Sequence, residues 1–168
     1  RAFARERLAG RGETLGMLRR HAGVVLALFE RFYAANLAGA PPAEHVKRLS
    51  PELDNLRGAM HWACAPDGDT RIAVALIGAC GAAHGFLWIS GLAWEGMQWC
   101  NKARPLVGAS MPLELRARFA LACAEVGSVI TTSTALEDAQ LATTLFHEAR
   151  DTIGEFFAWQ AQLFVLVA

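Results

Sequence analysis

The chain has 168 residues, of which 54% are apolar and 19% charged, and its formal net charge is zero. That length allows one domain with a sizeable core, and zero net charge excludes an overall field that gathers nucleic acid. A charged share below the roughly 25% usual in soluble domains points to helices covered by other helices.

In chain order, residues 2–9 read as a short helix closed by Gly10-Arg11-Gly12. A long helix is expected over 13–37, where Leu18, Ala22, Val25, Phe29, Phe32 and Asn36 recur at 3,4 spacing. Leu26 and Tyr33 broaden that face, and Val24 and Leu28 make the helix partly two-sided, as in a stack. Gly39 to Pro42 is a loop, and 45–49 a short helical turn. The next helix spans 51–65. Ser50 is placed to cap it and Pro51 to open it, with Glu52 and Asp54 at the favourable end of its dipole. Leu53, Leu56, Met60 and Ala63 form its apolar stripe.

Pro66-Asp67-Gly68-Asp69 is a turn, and a helix follows over 70–89, broken at Gly91. From Ile72 to Trp94 there is no formal charge over 23 residues, enough to span a bilayer. His84, Ser90, four Gly and many Ala assign this run to a buried helix instead. Helices over 92–104, stopped by Pro105, over 112–130, over 136–153 and from 155 onward complete the set, with a loop at Thr131–Thr134. No strand pattern is present, so the fold class is all-α. Ala142, Phe146 and Ala149 have the small–x₃–bulky–x₂–Ala spacing of a TPR second helix, and Gly96, Cys100 and Ala103 repeat it 46 residues earlier. A regular TPR has 34, so the expected architecture is an irregular TPR-like α-solenoid of antiparallel helix pairs.

One stretch carries a family resemblance. Glu52, Asp54-Asn55-Leu56-Arg57, Ala59 and Trp62 resemble an E-x-D-N-L-R-A-A-L-x-W signature. That signature belongs to bacterial signal-transducing NTPases of the STAND class and related transcriptional regulators. Residues 2–9 with Gly12-Glu13 resemble the link out of a winged helix, and Glu95-Gly96-Met97-Gln98-Trp99 resembles a second family motif, E-G-R-R-W. Gly58 stands where Ala is usual, and Met97-Gln98 where a basic pair is usual.

The resemblance implies a TPR-like region over 13–168 behind an ATPase module and a winged helix, with residues 1–12 the tail of that upstream domain. Arg1 in place of Met and the apolar end Phe164–Ala168 read as a cut from a longer chain, truncated at the C-terminus. DNA and ATP would then be engaged only through the missing parts. The uneven charge agrees, with nine Lys or Arg against four acids over 1–50 and three against seven over 105–168. The resemblance implies a non-catalytic sensor or protein-interaction region that binds a protein partner or small inducer. The alternative is a stand-alone helical interaction or oligomerisation module, and a homo-oligomer fits either.

Candidate sites follow from residue type. In the family context Asp54, Asn55, Arg57 and Trp62 form a structural signature that locks its helix against the long one, with a direct effector contact as the alternative. Asp54 and His61 lie seven apart on one face, either an acid–base or metal pair or a polar edge with Asp54 paired to Arg57. Trp88, Trp94 and Trp99, with Glu95 beside them, form either a core or a ligand groove. Cys64, Cys80, Cys100 and Cys123 have no C-x-x-C spacing and read as reduced thiols of a cytoplasmic protein. A Cys100–His84 nucleophile pair lacks an orienting third group, and no Gly-x₄-Gly-Lys-Ser/Thr cradle is present. The expectation is no catalytic, metal or cofactor site.

Overall fold

The structure, a computed structural model, describes residues 14–167, so the expected helix over 2–9 and the tail over 1–12 lie outside the described residues. Nine α-helices fill those residues and no strand occurs among them. They are α1 (Thr14–Leu37), α2 (Pro42–Leu49), α3 (Leu53–Ala63), α4 (Thr70–Gly81), α5 (Phe86–Ile89), α6 (Ala93–Ala103), α7 (Leu113–Val129), α8 (Ala135–Ala149) and α9 (Thr152–Val167). Two 3₁₀ turns, Ser50–Glu52 and Arg104–Leu106, lead into α3 and out of α6. None of the described helices is long and apolar enough to cross a membrane.

Helix α1 buries Ala22, Val25, Phe29, Phe32 and Tyr33, the face its spacing marks. Leu18 stays exposed and Val24 is 69% exposed, so α1 is one-sided where a second buried face was expected. Asn36, at the end of the stripe, donates instead to the carbonyl of Ala83. Helix α4 is the centre of the molecule: every residue from Ala73 to Gly81 is buried. It packs on α1, α6 and α7; α7 packs in turn on α6, α8 and α9, and α3 lies against both α1 and α4. Small residues bring these helices close. A Cβ added at Gly78 would sit 3.1 Å from the Arg118 Cβ, so Arg118 runs across that glycine. It reaches Glu30 on α1 at 3.0 Å and lies 4.1 Å over the Tyr33 ring. Burial pushes the Tyr33 phenol up to about 12, with the Arg118 charge pulling the other way. Phe29 meets Phe86 edge-on at 5.5 Å, a contact worth about 1 kcal/mol beyond its area.

Four boundaries differ from the sequence reading. Ser50 does not cap the next helix: its backbone is already helical, and its hydroxyl donates to Val46 O at 2.7 Å, closing α2. A side-chain N-cap needs an extended backbone there, so Pro51 falls in the 3₁₀ turn and α3 starts at Leu53. The helix expected over 70–89 stops at Gly81 because Ala83 and His84 both take left-handed conformations, φ 55° and 53°. Two distant side chains hold that turn: Asn36 donates to the Ala83 carbonyl, and an oxygen of the buried Glu125 carboxyl accepts from the His84 N–H at 2.5 Å. Gly91, φ 72°, makes the second break, as expected. Helix α8 ends at Ala149, because Arg150 is left-handed (φ 57°) and Asp151 accepts from the Gly154 N–H at 2.9 Å, starting α9 earlier than expected. Helix α4 has the side-chain cap that α3 lacks: Asp69 accepts from the N–H groups of Arg71 and Ile72. Burial raises the Asp69 carboxyl, but the hydrogen bonds from Arg19 and these two N–H groups outweigh it and hold it below its ordinary range.

Candidate functional site

Helices α3 and α6 leave an open cleft of about 680 Å³ between them, lined by Arg57, Met60, His61, Cys64, Glu95, Trp99 and Lys102, with Ala65 and Pro66 at one end. Its floor is apolar: Met60 is buried and Trp99 is only 9% exposed. Its rim is charged. Arg57 donates from Nε to Glu95 Oε1 at 2.7 Å and from a terminal nitrogen to Oε2 at 2.8 Å. This two-point geometry spans the cleft and fixes both side chains. A further Arg57 nitrogen reaches Asp54 at 3.3 Å, the local pair expected from sequence. Arg57 is thus shared by two carboxylates, while Lys102 on the same cleft forms no ion pair among the described residues and His61 adds donor capacity. The Cys64 thiol faces the same space, pushed up by burial and drawn back by the Lys102 ammonium.

The signature residues therefore divide. Asn55 does contact the long helix: its Oδ1 lies 3.5 Å from His21 Nε2, and its amide nitrogen donates to Glu52 at 2.7 Å. Arg57 leaves α1 for Glu95 on α6. Trp62 is buried with its indole nitrogen unpartnered, at a second cleft shared with Leu15, Arg19 and Asp69.

The tryptophan cluster divides too. Only Trp99 and Glu95 join this cleft. Trp94 is 72% exposed and turned away from it, because five helical steps rotate a side chain by roughly 140°. Trp88, 39% exposed, stacks against His84 with ring centroids 5.2 Å apart and borders a groove with Val129, Phe164 and Val167. Burial lowers the His84 imidazole, and its ring contacts are aromatic, from Trp88, Phe157 and Phe164.

Two polar features were missed. Arg104 binds Asp138 through two bonds of 2.6 and 2.8 Å, and Asp138 is buried. Glu125 is buried, and burial pushes its carboxyl up to about 8 against the pull of the His84 and Ala83 N–H groups. An acid inside the apolar run of α7 was the available signal for Glu125. Nothing local marked Arg104 and Asp138, which are 34 residues apart.

No set of three or more His, Cys, Asp or Glu side chains is arranged to hold a metal among the described residues. All four cysteines are free thiols. Compared with known protein families, curated proteins and solved structures, the chain matches none.

Proposed function

We propose that the chain is a non-catalytic recognition module whose α3–α6 cleft takes an acidic group with an apolar body, on a small inducer or on a protein partner. The observation that carries this reading is the Arg57–Glu95 clamp beside Trp99 and Lys102. It presents an aromatic floor, an uncompensated cation and a cross-cleft tie in one space. Such a combination of apolar lining and few convergent polar groups is what small-ligand sites use. An incoming acid that competes with Glu95 for Arg57 alters the tie between α3 and α6, which gives binding a structural output. The resemblance in Glu52–Trp62 supports placing the module in a bacterial transcriptional regulator or STAND-class ATPase, cytoplasmic, with ATP and DNA handled by other domains. Free thiols fit a reducing compartment.

The packing order supports a TPR-like solenoid. Helices α1, α4, α7 and α9 form a row in which each touches the next, and α3, α6 and α8 each bridge two successive members of that row. The small–bulky–small triplets sit inside these contacts, with Ala142, Phe146, Cys100 and Ala103 buried.

Thermal-shift measurements with aromatic carboxylates and acidic peptides test the cleft. A ligand at 100 times its Kd raises the midpoint by roughly 5 °C or more. The Lys102→Glu variant is expected to lose that shift. Ligands that shift both proteins equally, or a panel with no hit, overturn the cleft assignment. An encoding gene without a phosphate-binding-loop module overturns the regulator assignment separately.

A further inference from the structure

The 3₁₀ turn after α6 brings Arg104 to the junction of α7 and α8. On α7, Arg116, Phe119 and Ala120 fall at positions i, i+3 and i+4; on α8, Asp138, Leu141 and Leu145 fall at i, i+3 and i+7. Each set therefore shares one face of its helix. With the loop from Val107 to Ala109, the two faces border a pocket of about 210 Å³, and all of its lining lies between positions 104 and 145. Its walls are apolar, with Phe119, Ala120 and Leu145 buried. Its charges are unequal. The buried Asp138 accepts from both terminal nitrogens of Arg104, at 2.6 and 2.8 Å. That bond pair uses two of the five guanidinium N–H groups and fixes the plane of the others. The guanidinium of Arg116, a half-buried residue, has no hydrogen bond or ion pair among the described residues. Two guanidiniums and one carboxylate thus line the pocket, and one positive charge is left over.

We propose that this pocket binds a short-chain monocarboxylate, with the carboxylate on Arg116 and the chain against Phe119 and Leu145. The surplus of one charge sets a monoanion. The planar fork of a guanidinium grips a carboxylate through two N–H bonds at once. A phosphate dianion fits less well, since it brings two negative charges beside Asp138 and covers none of the apolar wall. Size sets the chain length. A water takes roughly 30 Å³, so 210 Å³ has room for about seven non-hydrogen atoms, the size of pentanoate. Ligand pockets commonly run from about 300 Å³ upward, so larger acids are excluded. The pocket shares no residue with the α3–α6 cleft and is a second site.

Nuclear magnetic resonance titration of the full chain with sodium pentanoate, to about 10 mM, tests the proposal; that range brackets the millimolar affinity expected of so small a ligand. The expected result is saturable shifts of the Leu141 and Leu145 methyls, with pentanamide, the uncharged analogue, binding at least about tenfold more weakly. Arg116→Gln is expected to weaken pentanoate by at least about tenfold as well. Its helical circular dichroism and urea midpoint are expected to be unchanged, because the Arg116 guanidinium ties nothing within the chain. Lys102→Glu, in the other cleft, is expected to leave pentanoate binding as it was. No saturable shift overturns the proposal, as does pentanamide or inorganic phosphate binding as tightly as pentanoate. So does binding that survives Arg116→Gln but is lost in Lys102→Glu, which moves the acid to the α3–α6 cleft. The two sites thus fail separately.

Discussion

Helices α4 and α9 each carry a single charged residue, Arg71 and Glu155, yet they meet water in opposite ways. In α4 every residue from Ala73 to Gly81 is covered, by α1 on one side and by α6 and α7 on others. In α9 the buried residues are Gly154, Ala158 and Ala161, while most of the bulky side chains stand outside. Hydropathy alone does not separate the two cases. Side-chain size does: neighbours approach where residues are small, since a Cβ at Gly154 would overlap the Phe146 ring and one at Gly81 would lie 2.8 Å from the Ala122 Cβ. Helix α4 is small along most of its length and is wrapped; α9 is small on one side and is half-wrapped.

Two substitutions sharpen that contrast. The largest effect is expected for Leu76→Ala, a fully buried position on α4, which should lose about 3–4 kcal/mol in urea unfolding. Leu163→Ala on α9, a position 63% exposed, should change stability by less than about 0.5 kcal/mol. Equal losses at the two positions would show that α9 is covered within one chain.

Next comes the polar lock at the end of α4. Glu125 has a folded-state pKa raised from 4.5 to about 8 by burial. The folded state therefore holds its proton more tightly than the unfolded state, and the stability this gives is full below pH 4.5 and lost as pH rises through 8. The urea midpoint should fall over that window by an amount equivalent to about 2–4 kcal/mol, and Glu125→Gln should flatten the fall. A wild-type profile without that slope would place the carboxylate in water.

A smaller loss than at Leu76 or Glu125 is expected for Gly81→Ala. One added methyl meets Ala122 at 2.8 Å, costing about 1–2 kcal/mol by calorimetry. A neutral result would mean that α4 and α7 are less closely set.

Much of the fold was legible because its signals are local. The α1 stripe through Phe29 and Phe32, the Pro66–Asp69 turn, the stop at Pro105 and the break at Gly91 all act within a few residues. The left-handed turn at Ala83 and His84 was not, since neither residue type asks for it. It is imposed by Asn36 and Glu125, which lie 47 and 41 residues away. The cleft was half legible. Glu95 and Trp99 were singled out, but the partner that organises them, Arg57, is 38 residues away on α3 and had been assigned to hold α1. Trp94 was grouped with them by proximity in sequence, which a helix does not respect.

The glycine under Arg118 also bears on the order of assembly. The ion pair it admits joins Glu30 to a residue 88 positions later, a long closure that the unfolded chain has no cheap way to make. In the folded chain that side chain passes over Gly78, where α4 packs on both α1 and α7. Docking of neighbouring helices is therefore expected to precede the tie between distant parts of the chain. A single missing side chain on α4 thus leaves room for a tie between two helices that flank it.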